Sequence, residues 1–215
     1  MGKSLPLICA LLLFAACGQK EFAYNDRLIR HLYGPVKEVL PVNAGERLRF
    51  DSTGHLTEIE RLDASGNSCG VSSRYRYPRS DSGNHLRIET QLLHGKPYAI
   101  WNSTIVPQNE GFRIDYFEPD SATGKPIPTG VWAIYRFSDG LLASQVAWDG
   151  SETSYVYEND ARLPCEEKVS RNGEIVLSIR YRYDQLDSLG NWLVRTTLKD
   201  HAEPFTERRQ IIYFP

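Results

Sequence analysis

The chain has 215 residues, its 25 Lys and Arg set against 27 Asp and Glu give a formal charge of −2, and 41% of the residues are hydrophobic. So even a balance argues against nucleic acid as a partner, which needs cationic side chains concentrated on one face. The length suits one domain able to bury a core without staples. Twelve tyrosines, eight phenylalanines and four tryptophans against a single methionine point to β structure.

At the start of the chain, Lys3 precedes an apolar run from Leu5 to Ala16, which is too short to cross a bilayer as a helix and reads as a signal peptide. The run ends in "FAAC", where the small residues Ala15 and Ala16 lead into Cys17. That ending resembles a bacterial lipobox, whose cysteine takes a diacylglyceryl group and then a further acyl chain, palmitate among them. The alternative is an ordinary secretory signal cut near Ala16. The expected organisation is a lipoprotein signal at residues 1–16, a lipidated tether at 17–24 and one all-β domain at 25–215. Two acyl chains suffice for stable anchoring, since each buried CH₂ contributes about 0.8 kcal/mol. The membrane is therefore an expected partner through the N-terminal lipid alone. Gly18 stands where, in the enterobacterial sorting rule this resembles, an aspartate would retain the protein in the inner membrane. The cell envelope is the expected location and the outer membrane the favoured one, with the periplasmic and surface sides both open.

Next, "NDRLIRHLYGP" (25–35) reads as a short helix, with Asn25 or Asp26 as cap, Leu28, Ile29 and Leu32 as its apolar side and Gly34-Pro35 as the stop. It is expected to cover one end of the sheet. Beyond it the chain repeats itself. "LRFDSTGHLTEIERLDASGN" (48–67) places Gly54 and Leu56 four and six residues after Phe50. "YVYENDARLPCEEKVSRNGE" (155–174) keeps that spacing with Tyr157, Ala161 and Leu163. Units at 75–97, 135–152 and 181–195 vary the turn. Each reads as a hairpin: an aromatic strand end, a polar turn usually holding glycine, and a second alternating strand. In "EIVLSIRYRY" Ile175, Leu177, Ile179, Tyr181 and Tyr183 share one face. In "HLRIETQLL" Leu86, Ile88 and Leu92 share one face, and Arg87, Glu89 and Gln91 the other. One apolar and one polar face predict an antiparallel sheet packed on one side. The expected fold is all-β, a single antiparallel meander of about five hairpins with a short N-terminal helix. The segment "FEPDSATGKPIPTGVW" (117–132) reads as a long loop, where binding is commonly placed.

The units resemble the YD-repeat family, the Rhs-like modules, whose pattern is aromatic-x-Tyr-Asp-x-x-Gly-Asn-(aromatic or Leu). Tyr181, Tyr183, Asp184, Gly190, Asn191 and Trp192 fit it with a lengthened turn, and Phe50, Asp51, Gly54 and Leu56 fit it without one. The whole is also similar to small lipoproteins of Bacteroidetes-type bacteria that carry a "GPVKEV"-like start, a "GNW" unit and an "IIYF"-like last strand. Long arrays of the family form shells, and about five units are expected to enclose nothing.

No phosphate-binding loop, nucleophile elbow or HExxH occurs, and the five histidines are scattered. The reading is of no catalytic residue, metal or cofactor. A glycan-active hydrolase or lyase remains as an alternative, using Glu58, Glu60, Glu166 or Glu167 on the polar sheet face, and an envelope inhibitor or immunity-type protein as another. Trp132 and Trp192 are expected to pack in strands. Trp101, Trp148 and Lys125 are the candidates for contact with an envelope protein or glycan. An oxidising compartment would allow one disulfide between Cys69 and Cys165, with two free thiols as the other outcome.

Overall fold

A computed structural model describes residues 24–78, 85–120, 122–123, 125–200 and 202–215. The expected signal peptide, Cys17 and all but the last residue of the tether lie outside them. The fold is all-β. Fourteen antiparallel strands follow one another around a closed barrel: β1 Val36–Pro41, β2 Gly45–Phe50, β3 Leu56–Leu62, β4 Ser68–Arg76, β5 His85–Leu93, β6 Lys96–Gln108, β7 Gly111–Pro119, β8 Pro126–Ser138, β9 Leu141–Ala147, β10 Glu152–Val156, β11 Glu166–Arg171, β12 Glu174–Leu186, β13 Trp192–Lys199 and β14 Phe205–Tyr213. β14 pairs with β1, from Val36↔Tyr213 to Pro41↔Arg209, and that seam closes the ring.

Closure replaces the expected open meander of about five hairpins. The repeat marks its units by aromatic residues before a glycine turn. It passes over β1, β7 and β14 and most of β6 and β8, and so undercounts the strands needed to close. A ring of fourteen strands is also wider than its own side chains can fill, since about eight strands already leave an interior just wide enough for them. The N-terminal segment supplies the missing material. The short helix α1, Asp26–Ile29, forms with Asn25 as its cap, the Asn25 side chain accepting from Arg27 N–H at 2.9 Å. It does not lie over a sheet end as expected but sits within the ring. Tyr24 meets Phe112 edge-on at 4.8 Å and packs with Ile105, Ile114, Phe137 and Leu142. Leu32 packs with Val36, Val39, Leu48, Phe50 and Leu56. Burying side chains of this size contributes about 1.5–3 kcal/mol each.

Two repeat turns clamp this plug. Asp51 Oδ1 accepts from the backbone N–H of Thr53, Gly54 and His55, and Asp187 Oδ1 accepts from those of Leu189 and Asn191. Asp187 and not Asp184 is therefore the counterpart of Asp51, and the turn before Trp192 is not lengthened. Asp184 instead lies on β12, bound to Arg182 and Thr196. A carboxylate can gather turn N–H groups only from two to four residues away. Both turn glycines have positive φ, +101° at Gly54 and +84° at Gly190, where a β-branched residue fits poorly.

On β12 the expected apolar face points inward over Ile179, Tyr181 and Tyr183, with Tyr181 opposite Thr197 and Tyr183 opposite Arg195. Toward the rim, Leu177 and, beyond a register shift, Ile175 are exposed. On β5 the inward face is the polar one: buried Arg87 reaches Ser103, Tyr24 and Tyr116, and Glu89 accepts from Ser73. The expected loop at 117–132 is largely strand, with Phe117 opposite Pro128 and Pro119 opposite Pro126. Only 120–125 turns. Its three prolines stay extended, a conformation their fixed φ allows.

The outer wall carries ion pairs in mid-strand. Arg49 bonds Glu38 and Glu58, Arg47 bonds Glu60, and Arg113, Lys168 and Arg182 pair with Asp115, Glu166 and Asp184. Such a wall suits water, because charge on the outside of a barrel is costly in hydrocarbon. No described helix is long and apolar enough to cross a membrane.

Candidate functional site: the mouth chamber

The plug fills one end of the ring, beside the turns at 51–55, 139–140 and 187–191. The opposite end, bounded by the connections at 42–44, 63–67, 94–95, 148–151 and 172–173, is left open. Two adjoining cavities lie there, of about 350 and 440 Å³, sharing Arg195, Phe205 and Glu207. A third, of about 280 Å³, lies against the plug and is joined to the first through Arg30.

The site residues come from β13, β14 and the end of the plug. Register sets Arg195 opposite Glu207 and Thr197 opposite Phe205. With a two-residue period, Phe205, Glu207, Arg209, Ile211 and Tyr213 then share the inner face of β14. Arg195 is held by Glu207, its Nε and Nη2 donating to Oε2 at 3.0 and 2.6 Å. Its guanidinium lies 4.5 Å from the ring centres of both Trp192 and Tyr181. Arg209 stacks on Trp192 at 3.6 Å, and its Nε donates to the Trp192 carbonyl at 2.7 Å. The Arg209 Nη2 is buried with no hydrogen-bond partner. Burial and then the nearby Arg195 pull the Arg209 guanidinium down to about 9. Next to them, burial followed by the charges of Arg195 and Arg209 holds the His31 imidazole at about 4, so it is neutral. Arg30, the C-cap of α1, lines the same cavity, and its guanidinium has no hydrogen bond or ion pair among the described residues.

The chamber against the plug is different in kind. It is lined by Asp26, Arg30, Tyr75, Arg87, Glu89, Tyr116 and Tyr135 among others. Asp26 accepts from the Tyr24 and Tyr77 hydroxyls and the Leu56 N–H. Acids and bases are matched here, and the donors of Arg87 are taken up. Burial raises the Tyr135 hydroxyl to about 12.

The contact residues expected from sequence sit near this open end but not in the chamber. Trp148 is 58% exposed in the turn after β9, and Lys125 is exposed in the turn before β8. Trp101, 37% exposed, pairs across from Glu89 on β6. Trp192 packs as expected, and Trp132 lies under Arg113 at 5.0 Å. Cys69 and Cys165 are both free thiols, one beginning β4 at the open end and the other just before β11 at the plugged end. The bridge is not formed. Glu166 and Glu167 point to opposite faces of β11, Glu166 outward to Ser178 and Lys168 and Glu167 inward opposite Tyr155. Sequence reasoning missed Arg30, Arg195, Phe205, Glu207 and Arg209. The available signal was the mixed face of β14, where charged residues alternate in step with aromatic ones. Among the described residues no three His, Cys, Asp or Glu side chains gather to hold a metal ion. No family model matches the chain, and no curated protein is significantly similar to it.

Proposed function

We propose that the chain is a lipid-anchored binding module of the cell envelope that takes its ligand at the open mouth of the barrel and performs no catalysis. The observation that carries this reading is the division of the interior, packed at one end and hollow at the other. A concave site with a few charged groups among aromatics is the usual form of a ligand pocket. The outer carboxylates favour the same reading over a sheet-face hydrolase. Glu58 and Glu60 are occupied by Arg49, Arg74 and Arg47, and burial of Glu60 is outweighed by Ser68 and Arg47, which hold it in its charged form.

The anchor orients the mouth. Cys17 precedes Tyr24 by so few residues that the intervening chain reaches at most about 25 Å. Tyr24 stacks with His55 and meets the tilted ring of Tyr77 at the plugged end. An acylated Cys17 thus turns the plugged end to the membrane, the outer membrane on the evidence of Gly18, and the mouth away from it.

The test is crosslinked capture from intact cells. Wild type is compared with Thr197→Trp, which fills the mouth, and with Cys17→Ala, which removes the anchor. Capture lost in Thr197→Trp while its melting temperature holds supports the reading. Equal capture by both, or cleavage of a glycan that Glu58→Gln abolishes, sinks it.

A further inference from the structure

We infer that the mouth chamber is an oxyanion site, for a ligand bearing a carboxylate or phosphoryl group on a body with one apolar face. This rests on the reading of the barrel as a binding module and names the class of its ligand. The cavity of about 350 Å³ gathers the guanidiniums of Arg30, Arg195 and Arg209 against the carboxylates of Glu46 and Glu207, and Glu207 is already spent on Arg195. Two of those guanidiniums have donors to spare. Arg209 Nη2 is buried and unpartnered, and Arg30 bonds nothing among the described residues.

Like charges held together away from bulk water destabilise the empty protein. The Arg209 guanidinium, pulled down by burial and then by Arg195, registers that cost. A carboxylate or phosphoryl group removes it, because its oxygens match the planar guanidinium fork and accept short charge-assisted bonds. Trp192 fixes the Arg209 and Arg195 planes from behind, and of the two it is Arg209, through Nη2, that keeps a donor free. Phe205 supplies the second half of the site. It is 59% exposed and borders both mouth cavities, so its ring is open to the apolar face of a ligand. The chamber against the plug lacks both properties, since apart from Arg30 its charged groups are two acids, Asp26 and Glu89, beside an Arg87 whose nitrogens all have partners.

The test measures melting temperature and calorimetric binding on the mature chain, using D-glucuronate, glucose 6-phosphate, inorganic phosphate and glucose at matched ionic strength. Wild type should be stabilised by the anionic probes and not by glucose. A response to the carboxylate or the phosphoryl probe alone supports the site and identifies the group. Arg30→Gln should melt with wild type in the absence of probe and bind the anions roughly tenfold more weakly, the loss expected for one charge-assisted hydrogen bond. Phe205→Ser should weaken both sugar anions and leave inorganic phosphate unchanged. Equal stabilisation of wild type and Arg30→Gln reduces the effect to general exclusion of salts from the surface and overturns the site, as does silence toward every anion. If the probes fail while crosslinked capture still depends on the mouth, the oxyanion site falls and the binding module stands. If capture ignores the mouth, the module itself falls, whatever the probes do.

Discussion

The two ends of the barrel are made by the same strands, yet one is a core and the other a cavity. At the plugged end most polar side chains are used up, the buried Nε of Arg27 excepted. Asp26 accepts three hydrogen bonds, and Asn191, fully buried, accepts from the Tyr33 N–H and donates to the Tyr33 carbonyl and the Tyr213 hydroxyl. At the mouth Arg209 and Arg30 keep donors unspent, and Phe205 and Trp148 remain exposed. Stability is thus concentrated where the N-terminal segment enters, and open volume with unspent donors where it does not reach.

Mutations should separate the two ends. Asp26→Ala leaves the Tyr24 and Tyr77 hydroxyls and the Leu56 N–H without their acceptor, and should cost about 3 kcal/mol or more in urea unfolding. Asn191→Ala should cost about 2–3 kcal/mol by the same measurement. Loss of under 0.5 kcal/mol in either would mean the plug is not what holds that end. Valine at the turn glycines comes next, at about 1 kcal/mol or more for each. Gly54→Val should be the worse of the two, since a Cβ there meets the Asn25 side chain at 2.6 Å, whereas one at Gly190 meets nothing within 4 Å. Equal losses would detach the Gly54 turn from the plug.

Acid provides a gentler probe. The folded chain holds His31 at about 4, below its usual 6.5, so below pH 6.5 the unfolded chain binds a proton that the folded chain refuses. The contribution of His31 is intact above pH 6.5 and is lost as the pH falls toward 4. Thermal melts of His31→Asn, a residue that tolerates the positive φ of this position, should fall less between pH 7 and pH 5 than those of wild type. Smallest of all, Trp148→Ala at the rim should shift stability by no more than about 0.5 kcal/mol. A larger loss would show that the rim, too, is structural.

Strand alternation was legible in the sequence, but not which face would be inside. On β12 the aromatic face is inward, and the usual assumption holds. On β5 the same period-two pattern turns Arg87 and Glu89 inward, because the plug brings Asp26 and the Tyr24 hydroxyl to meet them. No window of β5 contains that information. It lies some sixty positions earlier in the chain. Closure was hidden for a similar reason, as it depends on β1 finding β14. The turn chemistry was read well at Gly54 and Gly190, but its aspartate was placed three residues early, at Asp184 instead of Asp187. The mouth chamber was missed because Arg195 and Arg209 look like ordinary outward charges until register places them beside Trp192.

The seam between β1 and β14 sets the order of events in folding. It joins residues near the two extremes of the chain, down to the Phe214 N–H donating to the Pro35 carbonyl at 2.8 Å. Local hairpins can zip as they emerge, but the ring acquires its last neighbour only when the final strand is free, and non-local pairing of this kind is slow. Until then the nascent sheet has two bare edges, each a template for pairing with another chain. Losing β14 would make that vulnerable interval permanent, exposing the far edges of β1 and β13 in one stroke.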